Sequence, residues 1–176
     1  MQKPLIRAST AADLEAITAI YAHHVLNGTG TFEEVPPSAA EMGRRRDDVL
    51  ERRLPHLVAL QDGRVVGFAY AAPYRLRSAY RYTLEDSVYV AADCRRLGIG
   101  RALLGRLIED CAGQGYRQLV AVIGDSGNEG SIRLHGALGF YPVGTLRSAG
   151  YKLGRWVDSV LMQRPLGPGD STPPQG

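Results

Sequence analysis

Apolar and polar positions alternate in a way that divides the chain into short strands and amphipathic helices. The apolar runs predict strands at residues 4–8, 56–61, 64–72, 83–91, 117–124, 139–146 and 156–163. Helical spacing of apolar residues predicts helices near residues 10–25, 38–53, 99–111 and 128–138. Because strands alternate with helices after an early hairpin, we predict an α/β (α+β) fold, a mixed, mainly antiparallel sheet flanked by helices on both faces.

Local signals support these boundaries. Thr10 followed by Asp13 has the form of a capping box, which predicts that a helix begins there. Ser38 is a predicted cap of the second helix, and Pro55 follows the predicted end of that helix. Asp62-Gly63 lies between two apolar runs and predicts a tight hairpin turn.

Length and composition indicate one domain. The chain has 176 residues, of which 44% are hydrophobic, enough to bury a substantial core. We predict a single domain over residues 1–165 and a disordered, proline- and glycine-rich tail over residues 166–176. The net charge of +3 is mild, and the basic run 44–46 is followed at once by acids. This pattern is typical of a solvated helix, so we expect no nucleic-acid partner.

The cysteines and the N-terminus favour a protein of the reducing cytoplasm. Cys94 and Cys111 form no CxxC pair, so the sequence suggests neither a disulfide framework nor a zinc site. His23 and His24 are adjacent and cannot form an i, i+4 ligand pair, and we expect no metal. No apolar segment approaches the ~20 residues of a membrane span, and the N-terminus has no apolar core of a signal peptide.

A glycine-rich turn is the strongest chemical signal. The stretch CRRLGIGRAL, residues 94–103, lies between a predicted strand and a predicted helix. Free backbone N–H groups and the positive end of the helix dipole make such a junction an anion site. The chain contains no Gly-Lys-Ser/Thr of a Walker loop, and Gly98, Gly100 and Gly105 miss the spacing of a dinucleotide fingerprint. The turn therefore predicts a phosphate site of another kind.

Two motifs together resemble the GNAT superfamily of acyl-CoA-dependent N-acyltransferases. The first is R-x-x-G-x-G in the turn, and the second comprises Asn128, Ser131 and His135 followed by Gly139-Phe140. The resemblance implies that the turn cradles the pyrophosphate of acetyl-CoA. Segments such as TLEDSVYV and AGYKLGRWVD are similar to phosphinothricin and methionine sulfoximine N-acetyltransferases, a similarity that covers about residues 4–163. It implies acetyl transfer to the amino group of phosphinothricin, methionine sulfoximine or methionine sulfone, by a homodimer.

The resemblance also implies which residues carry the reaction. Glu85 is the expected base, and alternation places it on the face of β-strand residues Thr83 and Ser87. His135 is the second expected catalytic residue, and it can either protonate the departing thiolate or accept the proton of the amine. The residues expected to bind acetyl-CoA are Val88, Tyr89, Val90, Arg95, Arg96, Leu97, Gly98, Ile99, Gly100, Arg101, Asn128 and Ser131.

The acceptor pocket is expected to contain paired arginines. Arg75 and Arg77 stand two apart in a segment expected to be extended, so both guanidinium groups can point the same way and bind an acidic group. The complete set of expected substrate-binding residues is Phe32, Arg75, Arg77, Tyr80 and Lys152.

Two alternatives stay open from the sequence. The acceptor can be another amine, such as a polyamine, an aminoglycoside or a protein N-terminus. The chain can also be an acyl-CoA sensor without catalysis, although it carries both Glu85 and His135. A nucleic-acid-binding module is the weakest alternative, because aromatic residues do not interleave with the basic ones.

Overall fold

The computed structural model describes residues 3–174 and forms one seven-stranded sheet in the order β1-β2-β3-β4-β5-β7-β6. The strands are β1 (Leu5–Ala8), β2 (His56–Gln61), β3 (Arg64–Pro73), β4 (Thr83–Val90), β5 (Gln118–Gly124), β6 (Tyr141–Lys152) and β7 (Arg155–Pro165). The helices are α1 (Leu14–Asn27), α2 (Ala39–Glu51), α3 (Ile99–Gly113) and α4 (Glu129–Ala137). Neighbouring strands are antiparallel except β4 and β5, which are parallel. The predicted mixed, mainly antiparallel sheet is confirmed.

Helices cover both faces of this sheet, as predicted. On one face α3 buries Leu103, Leu104 and Leu107 completely in the main core. On the other face Ile17 and Val25 of α1 pack with Phe68 of β3 in a second cluster. Because neither face of the central strands is exposed, β2 and β3 read as nearly continuous apolar runs.

The local signals in the sequence correspond to real caps and turns. The Asp13 carboxylate accepts a hydrogen bond of 2.7 Å from the backbone N–H of Thr10, in a short turn that leads into α1. Ser38 Oγ accepts from the backbone N–H of Glu41 at 3.2 Å. Asp62 and Gly63 both have positive φ, 50° and 76°, as the two-residue hairpin turn between β2 and β3 requires.

The chain remains packed beyond the predicted domain boundary at residue 165, which corrects the expected start of the disordered tail. Leu166 is buried in the main core. The guanidinium group of Arg117 donates to the carbonyl groups of Gly169 and Pro173 at 3.0 and 2.9 Å. Composition averages over the segment, and it therefore missed one leucine that enters the core and one arginine that holds the following turn. Residues 175 and 176 of the expected tail lie outside the described residues.

Candidate active site

A cleft opens where β4 and β5 separate. The two strands pair only from Thr83 opposite Gln118 to Asp86 opposite Ala121. Beyond that point β4 continues beside β3 and β5 continues beside β7, so the two strands diverge. The cleft has a volume of about 570 Å³, and its walls are these strand ends, the glycine turn, the start of α4 and the loop after α1.

The backbone of Val88 faces this cleft. The Thr83 carbonyl accepts a hydrogen bond from the N–H of Tyr74, and the N–H of Ala91 donates to the Val66 carbonyl. The odd-numbered residues from 83 to 91 therefore direct their backbone groups towards β3. Successive residues of a strand direct these groups to opposite sides. Even-numbered residues therefore face β5, and Val88 lies after the last paired residue. The carbonyl of Val90, two residues further, accepts a hydrogen bond of 2.9 Å from His24 Nε2.

The glycine turn presents an open helix N-terminus at one end of the cleft. Gly98 precedes α3 with a φ of +79°, and within the part of the chain that the structure describes no side chain caps the helix there. Ser38 and Asn128, by contrast, cap α2 and α4 with their side chains. The first N–H groups of α3 are therefore free for an anion. Arg96 also has positive φ, 64°, and with Arg95 it lines the cleft.

The two glycines of the turn have different structural reasons. A Cβ on Gly98 would meet no described atom within 4 Å, so lack of space does not explain the glycine. It is required because the backbone there is left-handed, and the space beside it is open. A Cβ on Gly100 would lie 3.2 Å from Leu134 Cδ2 and 3.6 Å from Val90 Cγ2. Gly100 thus allows the start of α3 to pack closely against α4 and β4.

The beginning of α4 forms the opposite wall. The Asn128 side chain accepts from the backbone N–H of Ser131 at 3.3 Å and donates to the carbonyl of Gly124 at 3.4 Å. It therefore links α4 to the end of β5. Asn128, Ser131 and His135 all line the cleft, with Leu134 between them.

His135 is held by a partner that sequence reasoning missed. Its Nε2 lies 3.0 Å from Asp86 Oδ2, and its Nδ1 lies 2.8 Å from the Ser131 carbonyl oxygen. The side chains of His135 and Asp86 are 5% and 1% exposed. Burial alone lowers the pKa of His135, but the hydrogen bond and charge of Asp86 and the Ser131 carbonyl outweigh it, so that this pKa is raised.

Glu85 lies on the other face of β4. Glu85 pairs with Ala72 of β3. Its neighbours in β4, Leu84 and Asp86, are buried on the face that α3 covers, so Glu85 lies on the opposite face. Among residues 3–174 the carboxylate of the half-buried Glu85 has no hydrogen-bond partner. Burial raises the pKa of Glu85 and the charge of Asp86 raises it further, while Arg75 opposes them. Such a carboxylate is suited to accept a proton.

The loop after α1 covers one side of the cleft, and Lys152 holds this loop in place. The buried Lys152 donates from Nζ to the carbonyl of Thr31 at 2.8 Å, and burial lowers the pKa of this ammonium group. Phe32 packs against Gly150, where a Cβ would lie 3.0 Å from its ring. Both residues were expected to contact substrate, and the structure shows them fixing the loop. Neither lines the cleft itself.

The segment with the paired arginines is not extended, which corrects the sequence prediction. After Tyr74 the chain bends, and residues 78–80 form a 3-10 turn. The rings of Tyr74 and Tyr80 pack edge to face with centroids 5.8 Å apart, and the guanidinium of Arg75 lies over Tyr74. These aromatic contacts stabilise the bend. Arg75, Arg77 and Tyr80 are exposed and lie outside the cleft lining.

The residues predicted to bind acetyl-CoA, together with His135, thus fall into two groups. Those that line the cleft are Val88, Tyr89, Val90, Arg95, Arg96, Asn128, Ser131 and His135. The remaining residues of the turn, Leu97, Gly98, Ile99, Gly100 and Arg101, adjoin it at the start of α3. Sequence reasoning missed Asp86, His24 and Asp125 in the lining. Alternation along β4 was a usable signal for Asp86, since an acid on an apolar face needs a partner.

Among residues 3–174, no three His, Cys, Asp or Glu side chains gather in an arrangement that could hold a metal ion. Within the same range, no helix combines the length and apolar character that crossing a membrane requires.

Comparison with known proteins identifies the family. The model of the acetyltransferase (GNAT) family matches residues 18–140. A phosphinothricin N-acetyltransferase of Alcaligenes faecalis is 57% identical over 170 residues, which are 97% of this chain and 86% of that protein. An L-methionine sulfoximine/L-methionine sulfone acetyltransferase of Pseudomonas aeruginosa is 41% identical over 169 residues, covering 96% of this chain and 98% of that one.

A solved structure agrees with this grouping. The crystal structure of a GNAT superfamily phosphinothricin acetyltransferase from Sinorhizobium meliloti in complex with acetyl-CoA superposes with a TM-score of 0.96. It is 46% identical, and the match covers 99% of this chain and 94% of that one. The chain therefore belongs to the GNAT family and is an acetyl-CoA-dependent N-acetyltransferase.

Proposed function

We propose that this enzyme transfers the acetyl group of acetyl-CoA to the α-amino group of phosphinothricin, methionine sulfoximine or methionine sulfone. One observation carries the proposal: within residues 3–174 the Glu85 carboxylate, whose pKa is raised, has no hydrogen-bond partner, and it lies beside a cleft whose far end is a helix start that no side chain caps. A base beside a cleft that leads to a phosphate site suits an amine and an acyl-CoA that meet between them. The choice of acceptor is supported by the named activities of the relatives.

Acetyl-CoA occupies the length of the cleft in this proposal. Its pyrophosphate binds the free N–H groups over residues 97–101, and the guanidinium groups of Arg95, Arg96 and Arg101 add positive charge. The pantetheine arm runs beside β4 at residues 88–90, because the β5 side of that segment has no strand partner. Asn128 and Ser131 contact it from the wall formed by α4.

The reaction is a direct attack of the amine on the thioester. Glu85 accepts a proton of the ammonium group, directly or through water, and the neutral amine then attacks the carbonyl carbon. The N–H of Val88 faces the cleft and is placed to stabilise the negative charge that develops on the carbonyl oxygen. The tetrahedral intermediate collapses with release of the CoA thiolate, which must gain a proton. His135 is the second catalytic residue in this scheme.

The acceptor binds on the Glu85 face of the sheet. Arg75 is close enough to Glu85 to oppose the rise of its pKa, so a positive charge lies beside the base. The guanidinium groups of Arg75 and Arg77 bind the acidic group of the acceptor, and Tyr80 packs beside them. Phe32 and Lys152 complete the pocket by fixing the loop that covers it.

The enzyme acts as a homodimer in the cytoplasm. β6 is the edge strand of the sheet, and its twelve residues are almost all exposed. Val143, Leu146, Tyr151 and, in the adjoining strand, Trp156 expose between 55% and 64% of their surface. A long apolar edge of this kind is normally covered, and a second copy of the chain is the proposed cover. Two free, buried cysteines are consistent with a reducing compartment.

The test compares acceptors. Free thiol released from acetyl-CoA is measured with phosphinothricin, methionine sulfoximine, spermidine and a peptide N-terminus supplied separately. The proposal predicts rapid turnover of the first two acceptors. Turnover of only spermidine or the peptide would show that the acceptor is a different amine from the one proposed. Binding of acetyl-CoA without any turnover would indicate a sensor. The dimer is tested by sedimentation, which should give the mass of two chains for the wild type and of one chain for Leu146→Asp.

A further inference from the structure

The imidazole of His135 has a hydrogen-bond acceptor at each ring nitrogen. The Ser131 carbonyl oxygen, 2.8 Å from Nδ1, can only accept a hydrogen bond, so Nδ1 must carry a proton. Asp86 Oδ2 lies 3.0 Å from Nε2, and a second proton must lie between these two atoms. Imidazole is ordinarily a stronger base than a carboxylate, so this second proton lies on Nε2 and the ring holds two protons in its resting state. A ring in this state has no free lone pair with which to accept another.

The other groups around the pair do not supply a competing charge. Cys111 of α3 lies near Asp86, and burial raises the pKa of its thiol to about 12, so that it is neutral. Glu85 is adjacent to Asp86 but lies on the opposite face of β4. At the end of α4 the Arg164 guanidinium donates to the Leu138 carbonyl. Phe140 packs edge to face on the imidazole, with centroids 4.9 Å apart.

We propose, on the basis of the acetyl-transfer function proposed above, that Asp86 is a positioning residue that keeps a proton on both nitrogens of His135, so that His135 donates a proton to the departing thiolate. The sequence left both directions of transfer open for this histidine. The geometry favours donation of a proton over acceptance, because both ring nitrogens are already protonated. The role of base is then left to Glu85, whose carboxylate has no partner among residues 3–174.

The hydroxyl group of Ser131 provides the route into the cleft. Ser131 Oγ lies 3.3 Å from His135 Nδ1, and Ser131 lines the cleft. As the thiolate leaves, the Ser131 O–H bond breaks and an S–H bond forms. In the same step the Nδ1–H bond breaks and restores the serine hydroxyl, which leaves a neutral ring with Nε2–H donating to Asp86. The proton taken by Glu85 goes to solvent, and Nδ1 regains a proton from solvent.

The resting protonation state can be measured without any substrate. Nitrogen NMR of protein labelled in histidine reads both ring nitrogens, and His135→Gln identifies the His135 signals. We expect the wild type at pH 7 to show both nitrogens protonated, and Asp86→Asn to show a neutral ring with its proton on Nδ1. A neutral ring in the wild type would overturn the proposal. If Asp86→Asn does not fold, the wild-type spectrum alone decides.

The pH dependence of turnover tests the proton-donor role. At pH 8 we expect the kcat of Asp86→Asn with acetyl-CoA and phosphinothricin to be at least about tenfold below wild type. The deficit should shrink towards pH 5.5, where the variant's histidine regains its proton. Glu129→Gln is the matched control, because it removes an exposed carboxylate from the same helix, and its pH profile should follow the wild type.

The outcomes separate this proposal from the proposed function. An Asp86→Asn deficit that does not change with pH indicates a merely structural role and overturns the inference. A wild type that turns over no acceptor overturns the proposed function and the proton-donor role with it. In that case the NMR spectra still decide whether Asp86 keeps the imidazole doubly protonated.

Discussion

Glu85 and Asp86 are consecutive residues of β4, and their carboxylates lie on opposite faces of the sheet. Asp86 is buried on the α3 side, where it contacts His135 of α4. Glu85 is half-buried on the other side, where the charge of Asp86 raises its pKa and that of Arg75 opposes the rise. Because β4 and β5 separate directly after Asp86, the cleft begins at this pair. The proposed base and the proposed proton donor therefore lie on opposite faces of the sheet.

Replacing Glu85 by glutamine should lower kcat by about 10²- to 10⁴-fold, since the ammonium group then has no base. Acetyl-CoA affinity should stay near the wild-type value, because Glu85 does not line the cleft. The pKa of Glu85 is raised, so wild-type activity should fall as the pH drops through that value, and the variant should lack this fall. Steady-state rates against pH and calorimetric titration of acetyl-CoA check both expectations. Glu51→Gln, on the exposed end of α2, is the control.

Gly98 and Gly105 give opposite expected results when changed to alanine. Gly98 has a φ of +79°, and alanine there should cost about 1–2 kcal/mol and weaken acetyl-CoA binding. Gly105 lies within α3 with no atom near its missing Cβ, and alanine should stabilise the protein by about 0.5–1 kcal/mol. Urea unfolding measures both free energies. Equal effects at the two positions would show that the turn does not need its left-handed residue.

Gly124 should not tolerate alanine. A Cβ there would overlap the carbonyl group of Thr29, whose loop covers the cleft. The loop must move, so we expect a loss of about 1–3 kcal/mol in unfolding free energy and a clear loss of activity. Gly136→Ala in α4 is the matched control, because a Cβ there meets no atom within 4 Å. Wild-type stability and turnover in Gly124→Ala would contradict the described position of the loop.

His56 should make the protein less stable in mild acid. Its ring stacks on Phe68 and Tyr70, and burial, followed by the charge of Arg46, lowers its pKa to about 4. The unfolded chain protonates near 6.5, so between pH 6.5 and 4 unfolding takes up a proton. The free energy of unfolding should then fall by up to about 1.4 kcal/mol for each unit of decreasing pH. His56→Phe should flatten this slope in urea unfolding, and an unchanged slope would contradict the assignment.

His135 should act on stability in a different pH range. Its pKa is raised, so its contribution is complete below about 6.5, the usual histidine value, and is lost as the pH rises through the folded-state pKa. The free energy of unfolding of the wild type should therefore fall above pH 6.5 more steeply than that of Asp86→Asn. Urea unfolding between pH 6.5 and 9 measures this difference. Parallel curves would show that Asp86 does not raise the pKa of His135.

The elements of the fold could be predicted because their signals are local. Alternation in β4, the Asp62-Gly63 turn and the Ser38 cap each depend on a few neighbouring residues. Glycine in the turn before α3 was equally readable. The structural reason for Gly100 could not be predicted, since it depends on contacts with Leu134 and Val90 that only the folded chain brings together.

The parts that sequence reasoning missed depend on contacts between distant segments. Alternation along β4 marks Asp86 as an acid on an apolar face, but no local pattern indicates that its partner is a histidine 49 positions later. Arg75 and Arg77 were placed in an extended segment because spacing alone cannot show that Tyr74 and Tyr80 pack together and bend it. Lys152 was expected to bind substrate, because its own sequence does not show that the fold buries it and directs Nζ to the Thr31 carbonyl.

The most direct test of the account follows the acetyl group itself. Acetyl-CoA labelled in its acetyl group is mixed with excess enzyme and phosphinothricin, and the products of one turnover are separated and identified by mass spectrometry. We predict that the label appears on the amino nitrogen of phosphinothricin and never on the protein. Label attached to a side chain of the enzyme, or label that stays on CoA while phosphinothricin is unchanged, would contradict it.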